Sequence, residues 1–143
     1  MLLIAAACGA LATRARAAAV SWVGGVDQNW SSAANWSSAQ VPTSADDVVI
    51  DTNAAVVANS AISFQSLTLG DPNGSAAATL TISSSVASGG GVTVDSGATL
   101  VQNTTVTLTF ASVNVAAGGV LTHAANGATR TAVLNLNVTG DFN

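Results

Sequence analysis

The sequence predicts an all-β protein that folds as a parallel β-helix, a β-solenoid with coils of about 21 residues. Two observations carry this prediction: an apolar pattern with the alternation of a β-strand, and its recurrence at a fixed step of 21 positions. One polar residue separates the first two members of every repeated set. The sets are Val92, Val94 and Leu100; Val113, Val115 and Leu121; and Leu134, Leu136 and Phe142. The alternative is an antiparallel β-sandwich, which also has short, regularly spaced strands.

The composition agrees with an all-β fold and restricts the partners. Charged residues make up 7% of the 143-residue chain, against about 25% in a typical globular protein, and there is no lysine or glutamate. Ser, Thr, Asn and Gly supply the polarity instead, and Thr and Val suit strands. With three basic residues and a formal net charge of −4, the chain lacks a basic surface, so we expect no nucleic-acid partner.

Residues 1–19 differ from the rest and are interpreted as a secretory signal peptide. Met1–Ala12 is an Ala-rich apolar run, and Ala17–Ala19 offers a small-residue cleavage site. The run is too short for a comfortable membrane span. Two alternatives remain open: a buried hydrophobic helix, and lipidation of Cys8, the only cysteine. Cleavage after Ala19 would leave a chain without disulfide bonds, which must rely on hydrogen-bonded ladders and apolar stacking.

Residues 20–61 are predicted to form a tryptophan-rich cap followed by the first strands. Asp47–Ile50 and Ala55–Ala58 have strand character, whereas the Gly, Asn and Pro residues before them favour turns. The segment contains all three tryptophans: Trp22, Trp30 and Trp36. We expect their rings to cover the open end of the first coil, with each indole N–H bonded to a nearby carbonyl. The alternative is a platform on which these rings contact a glycan.

Residues 62–143 are predicted to form the solenoid coils and to continue as coils of a longer protein. Ile62–Leu69 has the pattern of a clear strand. The repeat extends backwards with one longer step, of 25 residues from Leu67 to Val92. An insertion in the Gly-Asp-Pro-Asn-Gly turn, at residues 70–75, accounts for this longer step.

Equivalent positions of successive coils should lie above one another. Two inward columns are expected: Val94, Val115 and Leu136; and Leu100, Leu121 and Phe142. Glycines should mark corners where the backbone turns between strands. Two pairs of them share a repeat position: Gly97 with Gly118, and Gly119 with Gly140. Since no polar or charged segment closes the last coil, we expect this chain to be the N-terminal piece of a longer protein.

A string of short motifs spans residues 22–51: W-x-G-G, N-W, N-W, V-P and D-D-V-x-I. A V-x-V-x-x-G-A-x-L pattern follows at residues 92–100. Together these motifs resemble those of bacterial secreted and surface β-helix proteins, including autotransporter-like passenger domains and adhesins. The resemblance implies a right-handed parallel β-helix that begins soon after a signal peptide. It implies no single function, because β-helices serve as adhesins, polysaccharide-degrading enzymes and stalks.

No catalytic, cofactor-binding or metal-binding residue is assigned from the sequence. Asp46, Asp47 and Asp51 form the only acidic cluster, but strand alternation places the first two on opposite faces. The cluster lacks the spacing of a Ca²⁺ loop, and we interpret its members as partners of local amides. His123, the sole histidine, is expected at the surface or on a rung, and Asp95 in the turn before a glycine corner.

These patterns favour a structural or adhesive segment of a secreted or cell-surface bacterial protein, without catalytic activity of its own and without a cofactor. Its partners would be surface glycans or host and matrix surfaces, and it would be tied to a membrane only through an anchor further downstream. Two alternatives stay open. One is the N-terminal part of a β-helix polysaccharide lyase or hydrolase, and the other is a carbohydrate-binding module in which Trp22, Trp30 and Trp36 contact the glycan.

Overall fold

Residues 19–143 are described by a computed structural model and form a β-solenoid of eleven strands. The predicted signal peptide lies outside the described residues, except for Ala19. One turn of 3₁₀ helix, Ala33–Asn35, is the only helical element in this part of the chain. The strands are β1 (Ala19–Ser21), β2 (Asp47–Ile50), β3 (Ala55–Ala58), β4 (Ile62–Leu69), β5 (Thr79–Ile82), β6 (Val86–Val94), β7 (Thr99–Gln102), β8 (Leu108–Phe110), β9 (Ser112–Val115), β10 (Val120–His123) and β11 (Leu136–Val138).

All pairs of these strands are parallel, and the strands stack in three sheets. The first sheet has the order β1-β2-β4-β6-β9, the second β3-β5-β7-β10 and the third β8-β11. Each of the central coils contributes one strand to the first sheet and the next strand to the second. This arrangement confirms the predicted β-solenoid, and the β-sandwich alternative is wrong because sandwich strands run antiparallel.

The register between coils follows the predicted repeat in the middle of the stack. The step of 21 residues is present in both long sheets, where Val92 pairs with Val113 and Leu100 with Leu121. Leu67 pairs with Val92, which confirms the longer step of 25. The additional residues lie in the connection between β4 and β5, where the insertion at residues 70–75 was expected.

Inward side chains fill one continuous core along the solenoid axis, because alternate residues of each strand point inward. Phe64 and Phe110 add stacked rings whose centroids are 6.2 Å apart at an interplanar angle of 23°. Burial of this column removes apolar surface from water at about 25 cal/mol per Å². The buried strand residues include Val48, Ile50, Val56, Leu67, Leu69, Leu80, Ile82, Val92, Val94 and Leu100.

Gly97 and Gly118 occupy equivalent corners, as the repeat predicts. Their φ values of 78° and 87° lie in the left-handed region, which glycine adopts without strain. The Gly97 N–H donates to the Gly118 carbonyl at 3.0 Å, so the two turns are also bonded to each other. The second predicted pair is wrong: Gly140 lies against the carbonyl of Ala111, in a different corner from Gly119.

The last coil departs from the 21-residue step. Leu136 pairs with Leu108 in the third sheet, and Phe142 forms a parallel bridge with Val113 in the first sheet. Neither residue therefore belongs to the inward column predicted for it. Because strand alternation repeats every two residues, the apolar pattern alone does not determine which coil position a residue reaches.

A long loop between β10 and β11 causes this change of register. Asn126 closes the loop, since its Oδ1 accepts hydrogen bonds from the backbone N–H groups of Thr131 at 2.7 Å and Ala132 at 2.8 Å. Its Nδ2 donates to the carbonyl of Ala132 at 2.8 Å. These bonds hold the additional residues outside the stack, so that the chain returns to the core only with β11.

Leu80→Ala should lower the free energy of unfolding by about 2–5 kcal/mol, because Leu80 is buried between Val56 and Leu100 and the substitution leaves a cavity. Thr81→Ala, one position further on the outward face, is the matched control and should change it by less than about 0.5 kcal/mol. Urea unfolding measures both. Equal losses would contradict the assignment of inward and outward faces.

Candidate functional site

The three tryptophans of the N-terminal segment pack against one another in the core. The ring centroids of Trp22 and Trp36 are 5.0 Å apart, those of Trp30 and Trp36 are 4.8 Å apart, and both pairs meet edge to face. Their exposed fractions are 5% for Trp22, 1% for Trp30 and 2% for Trp36. The hypothesis of glycan contact through these rings therefore has no exposed ring face to support it.

The backbone around these rings covers the first strand edges of the solenoid. The Ser37 N–H donates to the Ser21 carbonyl of β1 at 2.9 Å. On the second sheet, the Trp30 N–H donates to the Val57 carbonyl of β3 at 2.9 Å, and the Val57 N–H donates to the Gln28 carbonyl at 2.7 Å. Both open edges are thus paired, which confirms that the segment is a cap.

The indole N–H groups follow the prediction only in part. Trp36 Nε1 donates to the carbonyl of Trp30 at 2.8 Å, as expected. Trp30 Nε1 is buried and has no hydrogen-bond partner among the described residues, so the expected carbonyl contact is wrong for this residue. Ring packing against Trp36 and Phe64, rather than a hydrogen bond, holds the Trp30 side chain in place.

A buried amide organises the cap, and sequence reasoning did not identify it. Asn35 is fully buried, and its Nδ2 donates to Asp27 Oδ1 at 2.8 Å and to the carbonyls of Asp27 at 3.1 Å and Asn29 at 3.2 Å. Its Oδ1 accepts from the Val26 N–H at 3.2 Å. The only signal in the sequence was the recurrence of Asn directly before Trp, which gave no indication of this role.

Asp27 anchors the same turn through its carboxylate. It accepts hydrogen bonds from the Asn29 backbone N–H at 2.8 Å and from Ser32 Oγ at 2.8 Å, in addition to Asn35. These bonds, that of the Asn29 backbone first, lower the pKa of Asp27 from 3.8 to about 2. The carboxylate therefore serves the loop in its ionised form.

The three acidic residues singled out in the sequence do not converge on a site. Asp46 Oδ2 accepts from the backbone N–H and the hydroxyl of Thr43, at 2.7 and 2.8 Å. Asp47 Oδ1 accepts from the Ser66 hydroxyl of the neighbouring coil, and Asp51 is exposed. Local hydrogen bonding thus accounts for Asp46, as expected, and a contact between coils accounts for Asp47.

The other polar candidates lie at surface or corner positions. His123 is exposed at the end of β10, with Nδ1 2.8 Å from the Ala124 carbonyl. Asp95 begins the turn that contains Gly97, and its carbonyl accepts from the Ala98 N–H at 3.1 Å. Within residues 19–143 there is no detected cavity and no group of three metal-ligating side chains. Nor does this part of the chain contain a helix long and apolar enough to cross a membrane.

The C-terminal end of the stack differs from the capped end. Several large apolar side chains are exposed there: Val120 in β10, Leu134 in the loop before β11, and Phe142 after it. A buried amide again holds the loops: Gln102 Nε2 donates to the Val106 carbonyl at 2.7 Å, and Gln102 Oε1 accepts from the Asn135 N–H at 2.8 Å. The two ends, one covered and one exposed, are the features of this fold that bear on function.

Asp27→Asn should destabilise the protein at pH 7 and much less at pH 2. The folded-state pKa is below the ordinary value, so the stabilising contribution is present above about pH 4 and is lost as pH falls through about 2. The Ser75 hydroxyl also lowers the pKa of Asp71, so the wild type as a whole loses stability in acid and only the difference between variant and wild type is diagnostic.

Urea unfolding at both pH values gives this difference. Asp51→Asn, at an exposed position for which the described residues provide no hydrogen bond, is the matched control. It should cost less than Asp27→Asn at pH 7. A difference between Asp27→Asn and wild type that stays constant from pH 7 to pH 2 would contradict the role of the Asp27 carboxylate.

The comparison with known proteins gives a family but no function. Residues 21–122, which extend from the end of β1 into β10, match a family described as a domain of unknown function (DUF8693). No curated protein and no solved structure matches the chain. The matched region contains the whole cap and nearly all strands of the two long sheets, and it comprises more than half of the sequence. The chain therefore belongs to the DUF8693 family.

Proposed function

We propose that this chain is a structural and adhesive segment of a secreted or cell-surface bacterial protein, without catalytic activity of its own. The observation that carries the proposal is the stack itself: parallel coils in register, covered at the N-terminal end and rising along one axis. Each coil adds about 4.8 Å of length, and its backbone hydrogen bonds run along the axis. Such a stack suits a protein that holds a surface at a distance from its base.

The signal-like leader and the motif string support a location outside the cell. The Ala-rich residues 1–19 have the composition of a secretory signal, and the segment from Trp22 to Ile50 resembles the opening of secreted β-helix proteins. The segment with this resemblance is the one that covers the first strand edges. A cap placed directly after a leader is consistent with a solenoid that starts at this point.

The outward face of the second sheet supports contact with glycans or with host and matrix surfaces. Its outward positions in β3, β5, β7 and β10 carry hydroxyl and methyl groups and no charged side chain. They are Ala55, Val57, Thr79, Thr81, Thr99, Val101, Val120 and Thr122. Hydroxyl groups can donate to and accept from sugar hydroxyls, while the methyl groups can cover the apolar face of a sugar ring. This face, rather than the buried tryptophans, is the surface on which we place the adhesive contact.

Export is the first test of the proposal. Residues 1–143 are fused to a reporter enzyme that is active only outside the cytoplasm, and activity is measured in intact bacteria. We expect activity with the complete sequence and its loss when residues 1–19 are deleted, because the apolar leader would direct export. Equal reporter activity with and without the leader would contradict the signal-peptide interpretation and weaken the proposed location.

Binding to immobilised glycans is the second test. The variant Thr79→Lys/Thr99→Lys places two long side chains on paired positions of the second sheet and should reduce retention on any bound glycan at least about tenfold, a change of about 1.4 kcal/mol. Thr68→Lys/Thr93→Lys is the matched control, on paired positions of the first sheet. Retention that falls equally in both variants, or a glycan-induced change in tryptophan emission, would argue against the assigned face.

A further inference from the structure

The outermost strands of the two long sheets differ in what covers them. The outer edge of β9 is occupied: the Val113 N–H donates to the Asp141 carbonyl, and the Val115 N–H donates to the Asn143 carbonyl, both at 2.9 Å. The Asn143 N–H returns a bond of 2.9 Å to the Val113 carbonyl, and Phe142 lies parallel on Val113. Residues 141–143 have therefore begun another strand of the first sheet.

The outer edge of β10 has no such strand. On its inner side, the N–H groups of Val120 and Ala124 donate to carbonyls of the β7 coil at 2.9 Å. Backbone groups of successive strand residues point to opposite sides, so the N–H and carbonyl groups of Leu121 and His123 face away from β7. No described strand pairs with that side of β10.

Side chains at this end also lack a cover that their equivalents have. Leu100 is 1% exposed inside the stack, whereas its register partner Leu121 is only partly buried. Val94 is fully buried, and its partner Val115 is partly buried. Phe142, at the start of the additional strand, is 57% exposed. The terminal coil therefore presents the same inward positions as the internal coils, but without a neighbour on one side.

The N-terminal end of a second copy does not fit this edge. Its β1 edge is already bonded to Ser37, and its β3 edge to the segment from Gln28 to Trp30. Two C-terminal ends related by a two-fold axis would meet antiparallel, whereas residues 141–143 continue the parallel ladder of β9. The parallel continuation is thus the arrangement that extends the pairing already present.

We propose that the free edge of β10 is the docking site for a strand of a further coil, supplied in cis by polypeptide that follows Asn143. In three coils, eight residues separate a position in the first sheet from its successor in the second: Val48 to Val56, Val92 to Leu100, and Val113 to Leu121. With Phe142 on Val113, the residue eight positions after Phe142 lies on Leu121 and is apolar. This inference rests on the proposed role as a solenoid segment, and names what that segment joins.

An extended chain tests the inference with the protein's own sequence. Phe142 corresponds to Val113, so a second copy of residues 115–143 joined after Asn143 continues the register without a break. In this chain, hydrogen exchange of the Leu121 and His123 amides should slow by about tenfold or more relative to the 143-residue chain, because these N–H groups gain acceptors. The matched control is the same extension with aspartate at the appended equivalent of Leu121, which should restore fast exchange.

Three results would overturn the proposal. The first is slow exchange of the Leu121 and His123 amides in the 143-residue chain as a monomer, equal to that of Thr122. The second is unchanged exchange in the extended chain, with circular dichroism showing that the original coils remain folded. The third is a dimer of the 143-residue chain, seen by sedimentation and lost in Phe142→Ser, which would assign the edge to a second copy. None of these results depends on export of the leader, so failure here is distinct from failure of the proposed location.

Discussion

In-register parallel pairing between successive coils is the constraint on which the rest of this structure depends. A single coil has too little inward apolar surface to form a core, and it satisfies its backbone groups only through the coils above and below. Val56, Leu80 and Leu100 illustrate this, since each is paired with the same kind of residue in the next coil. The fold is therefore a sum of contacts between neighbours, and its ends need separate solutions.

Buried amides provide the joints where the chain leaves the regular stack. Asn35 gathers the turns of the cap, and Gln102 connects the connection after β7 to the segment before β11. Both side chains have partners on oxygen and nitrogen, so their burial carries little penalty. In a chain with few charged groups, amides can take the place of ion pairs and are insensitive to pH.

Sequence reasoning identified the elements whose pattern is local. The bounds of β2, β3 and β4 were predicted because apolar alternation there is flanked by turn residues. The positions of Leu136 and Phe142 could not be predicted, because their spacing of 21 and 28 or 29 residues is decided by a loop that Asn126 closes. The hub at Asn35 was also missed, since a buried amide depends on which backbone groups converge around it. No local pattern encodes that convergence.

The placement of the aromatic residues has a consequence for spectroscopy. All three tryptophans lie at the capped end, and from Trp30 the aromatic contacts continue only through Phe64 to Phe110. Intrinsic fluorescence therefore reports on the first coils, whereas far-ultraviolet circular dichroism reports on every strand. In a linear array, the exposed end can fray while the covered end stays intact. Two optical signals from one unmodified chain thus distinguish partial unzipping from concerted unfolding, without any introduced label.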